Sequence, residues 1–190
     1  MHISRGKKTF FPYLWVKCLF MAAPAGNMAT NATHISTILN KNILMHESPD
    51  MLAWLVLGGE EFMAVRPASV IDYYTAGAKG IPKLSVTNLA TVLAVPMKDM
   101  ALLLNLSYKT LGRKKESDIM DSISSSLSIE IAYTIAKGLS VFEDAEKLNR
   151  WLHKENRALM GRQPFNLLHT PTGIKLVNQV LGRIEDGVYT

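Results

Sequence analysis

The sequence has very little cysteine: Cys18 is the only one in 190 residues. A single thiol cannot form an internal disulfide or a cysteine-based zinc site, which excludes disulfide-rich scaffolds and cysteine zinc fingers. The five histidines are scattered, and no two have the spacing of a metal-binding pair on a helix. We therefore expect no metal and no cofactor, and the composition is compatible with a reducing cytoplasm.

The motifs of common enzymes are also missing. The sequence contains no phosphate-binding glycine loop, no nucleophile elbow and no metal-ligand spacing. Hydrophobic residues make up 48% of the chain, which is enough for a folded core. The net charge of +5 permits contact with phosphates without requiring it. We expect a folded protein that is not an enzyme.

The first 47 residues show no sustained periodicity, and we expect a flexible arm there. A basic start followed by apolar residues 10–25 resembles a secretion signal. However, Lys17 interrupts the apolar stretch, which is well short of the ~20 residues that a membrane span needs. The interpretation we favour is an unstructured or misassigned start, with Met28 as a candidate first residue. Export and a membrane tether through residues 10–25 stay open as alternatives.

From Ser48 onward the hydrophobic pattern is helical. The first and the last predicted helix of this part have clear start and stop residues. Ser48 and Pro49 predict a helix start, and the helix should stop at Gly58. Near the C-terminus, Thr170 is a predicted cap, Pro171 the first helical residue and Gly187 the end. Nothing alternates for long enough to indicate a strand. The sequence therefore predicts an all-α fold.

The middle of the chain predicts shorter helices. A helical stretch from Val70 should be broken by Gly77, Gly80 and Pro82, and another helix should run over 86–93. Ser122 and the serines at 124–126 are predicted to turn or cap before a helix over 128–140. Ser107 can cap a helix from Tyr108 to about Lys115, and Asp144 can cap the helix that follows residues 128–140.

Residues 96–115 have the pattern of a helix, a tight turn and a second helix. Met100, Leu103 and Leu104 form one apolar face that Leu106 and Leu111 can complete, as in helix-turn-helix proteins. Arg113 suits a two-pronged contact to guanine, and the lysines suit phosphates. The candidate DNA-binding residues are Ser107, Tyr108, Lys109, Arg113, Lys114 and Lys115. The alternative is a plain helical hairpin whose basic residues are only solvated.

The C-terminal part of the sequence carries a specific resemblance. The residues that carry it are 142–144 (FED), 151–152 (WL), 156–164 (NRALMGRQP), 167–168 (LL), Thr170, Gly173 and 181–189 (LGRIEDGVY). In order and spacing they resemble the toxin-binding domain of Xre-type antitoxins, which are paired with RES-domain toxins. Residues 57–59 (LGG), 80–82 (GIP) and 106–114 (LSYKTLGRK) also resemble that family.

The resemblance implies a function and a domain organisation. RES toxins consume NAD, and such an antitoxin covers the active site of its toxin and represses its own operon together with it. We therefore expect a flexible arm over 1–47, a helix-turn-helix DNA-binding domain over 48–141 and a small helical toxin-binding domain over 142–190. The expected partners are a RES-domain toxin and operator DNA, with no membrane. A two-fold symmetric operator would require at least a homodimer, in the cytoplasm.

Nine residues of the last domain are predicted toxin contacts: Trp151, Asn156, Arg157, Gly161, Arg162, Arg183, Glu185, Gly187 and Tyr189. Arginine and aromatic residues dominate binding energy at interfaces. For Trp151, whose spacing to Leu148 and Leu152 is helical, core packing is the preferred explanation. Two other functions stay open: a stand-alone helix-turn-helix regulator with a ligand-sensing C-terminal domain, and an enzyme.

Overall fold

The computed structural model describes residues 47–188. The predicted arm before Glu47, including Met28 and the apolar stretch 10–25, lies outside the described residues, and so does Tyr189.

Residues 47–188 fold into eight α-helices with no β-strand among them, which confirms the predicted all-α class. The helices are α1 (Pro49–Leu57), α2 (Val70–Lys79), α3 (Lys83–Val92), α4 (Met97–Leu103), α5 (Tyr108–Arg113), α6 (Ser122–Phe142), α7 (Ala145–Leu152) and α8 (Pro171–Glu185). Short 3₁₀ turns lie at Gly59–Glu61, Arg157–Leu159 and Pro164–Leu167.

The helix starts follow the capping signals in the sequence. The side chains of Ser48, Ser107, Asp144 and Thr170 each accept a hydrogen bond from a backbone N–H in the first turn of the helix that follows. These bonds satisfy donors that have no partner within the helix. At the other end of α1, Gly58 adopts φ 119°, a left-handed conformation that favours glycine. The predicted caps of these four helices are confirmed.

The long helix α6 is the centre of the fold, and α1, α2, α7 and α8 pack against it. Ile131, Ile135 and Leu139 on α6 are fully buried. Gly138 allows α7 to approach closely, because a Cβ there would lie 2.5 Å from Leu148 Cδ1. Full burial of a large apolar side chain, such as that of Ile131, stabilises the folded protein by about 1.5–3 kcal/mol.

The serines before residue 128 were predicted to form a turn or cap, and this prediction is wrong. They form the first turns of α6, which starts at Ser122, and Ser124, Ser125 and Ser128 are buried. The Ser128 hydroxyl donates to the Ser124 carbonyl at 2.8 Å, and Asp121 rather than a serine caps the helix. The buried hydroxyls are tolerated because each has a hydrogen-bond acceptor: the Asp121 carboxylate for Ser124, and a backbone carbonyl for Ser125 and for Ser128.

A buried serine also fixes the segment between α2 and α3. The Ile81 N–H donates to the Ser125 hydroxyl at 3.0 Å, and the Met120 N–H donates to the Ile81 carbonyl at 2.9 Å. The preceding Gly80 has φ 92°, and a Cβ on it would clash with the Met120 carbonyl. The GIP sequence therefore positions α3 against the loop that leads into α6.

Two helix boundaries in this region also differ from the prediction. Of the three predicted breakers, Gly80 does end α2, as its C-cap, but Gly77 does not interrupt the helix, which continues to Lys79, and it packs against Ser126 at the start of α6. Helix α3 begins at Lys83 rather than at residue 86. Tertiary packing outweighs the low helix propensity of Gly77 in α2. In α3 the helix starts before the first apolar residue of the predicted segment.

The buried apolar residues of 47–188 form one hydrophobic cluster, which extends from α1 to α8. Helix α6 runs across the predicted boundary between 141 and 142 and packs against helices on both sides of it. This packing is compatible with a DNA-binding part and a toxin-binding part that both pack against α6. The division into two domains stays a prediction.

No single helix among residues 47–188 is long and apolar enough to cross a membrane. Helices α3 and α4 reach that length and hydropathy only together, and they are bent by 108° with respect to each other.

Candidate functional site

The first candidate surface is formed by α4, the turn after it and α5. Met100, Leu103 and Leu104 are buried, and Leu111 from α5 is 1% exposed, so the predicted small core between the two helices is present. The turn is tight because Asn105 adopts φ 56° and the Leu106 N–H returns to the Ala101 carbonyl at 2.9 Å. Asparagine is one of the few residues that tolerate this left-handed conformation.

The polar residues of α5 point away from that core. Tyr108, Lys109 and Arg113 are exposed, and so is Lys115 just after the helix; we call these four residues the α5 surface. Lys109 and Arg113 are four residues apart, which places both on one face of the helix. Gly112 lies beside them with no atom within 4 Å of the position of a Cβ, so its neighbourhood is open. This surface is free to approach a large partner.

Two of the predicted DNA-binding residues have other contacts within the protein. The Ser107 hydroxyl accepts from the Thr110 N–H at 3.0 Å as the cap of α5. Lys114 is half-buried, and its Nζ donates to the Ile119 carbonyl at 2.8 Å. These two residues therefore support the conformation of α5 and its following loop. The cap at Ser107 is a local contact that the sequence predicts, whereas the contact of Lys114 depends on how the loop after α5 folds back, which the sequence does not show.

An ion pair also anchors the loop after α5. Lys83 at the start of α3 pairs with Glu116 at 2.9 Å between Nζ and Oε1, and its Nζ also donates to the Lys114 carbonyl at 2.9 Å. The Thr87 hydroxyl donates to the other oxygen of Glu116 at 2.8 Å. The side chain of Lys83 is only 12% exposed, so solvent screens this ion pair less than it screens a typical pair on the surface. Helix α3 thereby holds the end of α5 in place.

The second candidate surface is the loop of residues 156–162, which follows α7. Asn156 organises it: its backbone carbonyl accepts from the Gly161 N–H at 2.9 Å, and its N–H donates to the Arg162 carbonyl at 3.1 Å. Its side-chain oxygen accepts from the Ala158 N–H at 2.9 Å. Leu159 is 6% exposed and attaches the loop to the core. The loop is thus closed by its own backbone and is well defined.

The charged residues of the 156–162 loop are directed to solvent. Arg157 and Arg162 are exposed, and neither guanidinium forms an ion pair or hydrogen bond with a residue in the described part of the chain. Arg162 also borders a cavity of about 400 Å³ together with Glu155, Gln163 and His169. Exposed arginines on a rigid loop are available for charge-assisted hydrogen bonds to a partner.

Trp151 differs from its loop neighbours. It is half-buried, packs against the core and stacks at a tilt on Phe142 with 5.6 Å between ring centroids. The preferred core-packing explanation for Trp151 agrees with this geometry. A contact of its exposed edge with a toxin stays a prediction.

The remaining predicted toxin contacts lie at the end of α8. Arg183 is exposed, and Gly187 follows the helix with φ 73°. Glu185 forms an ion pair with Lys137 of α6, 3.7 Å apart, so part of its charge is already matched within the protein. Between residues 47 and 188, no hydrogen bond or ion pair joins this group to the 156–162 loop. The structure therefore separates the predicted contacts into two groups.

Two asparagines link the helix-turn-helix part to the C-terminal part, and the sequence analysis missed both. The Asn149 amide of α7 donates to the Val92 carbonyl at the end of α3, 3.2 Å away. The Asn105 amide donates to the His169 carbonyl at 3.1 Å. An asparagine in a turn is a weak signal of a left-handed residue, but nothing in the sequence identifies a partner 64 residues away.

The described residues contain no group of three or more histidine, cysteine, aspartate or glutamate side chains that could hold a metal ion. They form an all-helical scaffold with two exposed basic surfaces. Comparison with known families finds one match: residues 137–187, roughly a quarter of the chain, match the antitoxin Xre/MbcA/ParS C-terminal toxin-binding domain. This match supports a segment that binds a toxin, as in antitoxins of the Xre/MbcA/ParS type.

The match covers α7, the 156–162 loop, α8 and the last turns of α6. No curated protein matches the chain. The resemblance of the C-terminal part to this toxin-binding domain is thereby confirmed, whereas the kind of toxin, DNA binding and the oligomeric state are not tested by the match.

Proposed function

We propose that this protein is the antitoxin of a type II toxin–antitoxin pair. It binds a RES-domain, NAD-consuming toxin through residues 137–187 and covers the active site of that toxin. It binds operator DNA through α5 and thereby regulates its own operon in the cytoplasm. The observation that carries the proposal is the family match to a toxin-binding domain, which includes both the 156–162 loop and α8.

The geometry of the 156–162 loop supports the toxin-binding part. A partner gains most from a surface whose conformation is already fixed, because less conformational entropy is lost on binding. The loop meets this condition through the backbone hydrogen bonds of Asn156, and it presents Arg157 and Arg162 without internal partners among residues 47–188. Both arginines would then be free to pair with carboxylates or phosphates.

The geometry of α4 and α5 supports the DNA-binding part. The second helix of a helix-turn-helix enters the major groove, and its exposed residues contact the bases. Here α5 exposes Tyr108, Lys109 and Arg113 on the side away from the core. A homodimer would present two such helices to the two halves of a symmetric operator.

A growth-rescue assay tests the proposal. The RES-domain toxin encoded by the neighbouring reading frame is expressed with this protein, and we expect growth to be restored. Arg157→Ala/Arg162→Ala should rescue poorly, whereas Lys79→Ala should rescue like the parent, because Lys79 is an exposed cation at the end of α2, outside residues 137–187 and outside the α5 surface. Failure of the parent to restore growth, or the absence of a neighbouring toxin frame, contradicts the proposal.

The cavity beside Arg162 favours a second candidate, a stand-alone regulator whose C-terminal part senses a small ligand. About 400 Å³ is within the size range of small-molecule sites. The cavity is open to solvent, and its lining mixes Leu167 with charged and polar residues such as Glu155 and His169, whereas small-molecule sites are enclosed and mostly apolar. The antitoxin function is therefore the better supported of the two.

A further inference from the structure

Met160, at the tip of the 156–162 loop, has a combination of properties that core packing does not explain. Its side chain is 93% exposed, the highest value among the large hydrophobic residues of the described chain. Its backbone is left-handed, with φ 56°. A residue with a Cβ pays an energetic penalty in this region, and the penalty persists only where the surroundings determine the conformation.

The loop does not need the Met160 side chain in order to fold. The N–H groups of Met160, Gly161 and Arg162 all bond to carbonyls inside the loop, at 3.1, 2.9 and 3.1 Å. The neighbouring Leu159 supplies the attachment to the core. A glycine at 160 would adopt the same φ without strain. The apolar side chain at this position therefore contributes nothing to folding that glycine would not provide.

The surroundings of Met160 indicate what kind of surface it would meet. Lys154, Arg157 and Arg162 are exposed around the loop against one acidic residue, Glu155. An unbranched, polarisable methionine adapts to apolar pockets of irregular shape, and such residues are frequent at binding surfaces. An exposed apolar side chain that is surrounded by basic residues is complementary to an apolar pocket whose rim carries acidic residues.

We propose that Met160 is the hydrophobic anchor of the toxin interface. It inserts into an apolar pocket of the toxin, and carboxylates at the rim of that pocket pair with Arg157 and Arg162. This inference rests on the proposed function, since the toxin is the partner. A buried apolar anchor surrounded by charged pairs is the usual arrangement of an energetic hot spot.

The experiment is calorimetry of the full chain with a catalytically inactive form of the toxin from the neighbouring reading frame. Met160→Gly and Met160→Ala should each weaken binding by about tenfold or more, and Met160→Leu should bind within about threefold of the parent. Thermal melts of the free proteins should show Met160→Gly to be at least as stable as the parent, because glycine removes the left-handed strain. A loss of affinity without a loss of stability distinguishes an anchor from a structural residue.

Ile123→Ala is the matched control, because Ile123 is also an apolar residue of high exposure, 81%, but lies in the first turn of α6, at the end opposite α7. It should bind the toxin like the parent. Equal affinity of Met160→Gly, Met160→Ala and the parent overturns the inference. A loss in Met160→Gly but not in Met160→Ala also overturns it, since loop rigidity and not the side chain would then matter. If the parent itself does not bind, the proposed function fails instead.

Discussion

The side-chain amide of Asn105 donates a hydrogen bond to the backbone carbonyl of His169, with 3.1 Å between the two atoms. Asn105 lies in the turn between α4 and α5, and His169 borders the cavity beside the 156–162 loop. The turn that positions the α5 surface is thus attached directly to the segment that precedes α8. The two candidate surfaces share a structural support.

The first prediction concerns this hydrogen bond. Asn105→Gly keeps the left-handed turn but removes the donor, and Asn105→Asp keeps the side-chain shape but also lacks the donor. Each variant should lose about 0.5–1.5 kcal/mol of unfolding free energy, measured by urea denaturation. Unchanged stability in both variants would show that the bond contributes nothing.

The second prediction concerns the α5 surface. Arg113→Ala should weaken binding to the operator by about 1–3 kcal/mol and relax the sequence preference, because an arginine in the groove reads a base. Lys115→Ala should weaken binding to all sequences and reduce the slope of the salt dependence by about one, because it removes a phosphate contact.

The measurement is a mobility-shift titration over a series of salt concentrations, with Lys175→Ala as a control that removes the same charge from α8. Operator binding by an Arg113→Ala/Lys115→Ala variant at the parent affinity would show that α5 is not the recognition helix.

The third prediction concerns pH. Partial burial raises the pKa of Asp121, but hydrogen bonds from the backbone N–H and the hydroxyl of Ser124 outweigh this and hold the pKa below its usual range. A carboxyl group whose pKa is lowered by folding stabilises the protein above its unfolded pKa, and this contribution is lost as the pH falls through the folded pKa. The melting temperature should therefore drop on acidification below about pH 4.

Asp121→Asn keeps a good helix cap but does not titrate. Its melting temperature should fall less steeply over the same acidic range. Parallel curves for the variant and the parent, measured by circular dichroism, would show that this carboxylate does not contribute to the acid sensitivity.

The fourth prediction concerns the predicted domain boundary. A fragment of residues 142–190 lacks α6, against which α7 and α8 pack, and loses the hydrogen bond from Asn178 to the Thr134 hydroxyl. Leu148, Val177 and Leu181 are buried in the full chain and would be left uncovered in part. We expect this fragment to have much less helix than α7 and α8 have in the full chain. A stably helical fragment, seen by circular dichroism, would show that the C-terminal part folds independently.

The sequence predicted well those features that depend on neighbours along the chain. The caps at Ser48 and Thr170 and the apolar face of Met100 and Leu103 need only local patterns, and each is present. The serines at the start of α6 were mispredicted because their burial depends on Ile81, more than forty residues away. Local propensity describes serine in water, whereas these hydroxyls have partners inside the protein.

The candidate site shows the same division. The arginines of the 156–162 loop were identified from their residue type and from the family resemblance, and both are exposed. Met160 was not singled out, because its backbone angle and exposure follow from the turn geometry around Asn156. The amide of Asn105 was missed for a related reason: its partner is a backbone carbonyl, which no residue type reveals.

We propose that residues 137–187 bind and inhibit a RES-domain toxin. The most direct test is to measure NAD consumption by the purified toxin while this protein is titrated in. We expect the activity to fall to background at a fixed molar ratio, and the Arg113→Ala/Lys115→Ala variant to inhibit equally well because α5 lies outside the matched segment. Arg157→Ala/Arg162→Ala should require a higher concentration for the same inhibition. Undiminished NAD consumption in the presence of excess folded parent protein would contradict the account.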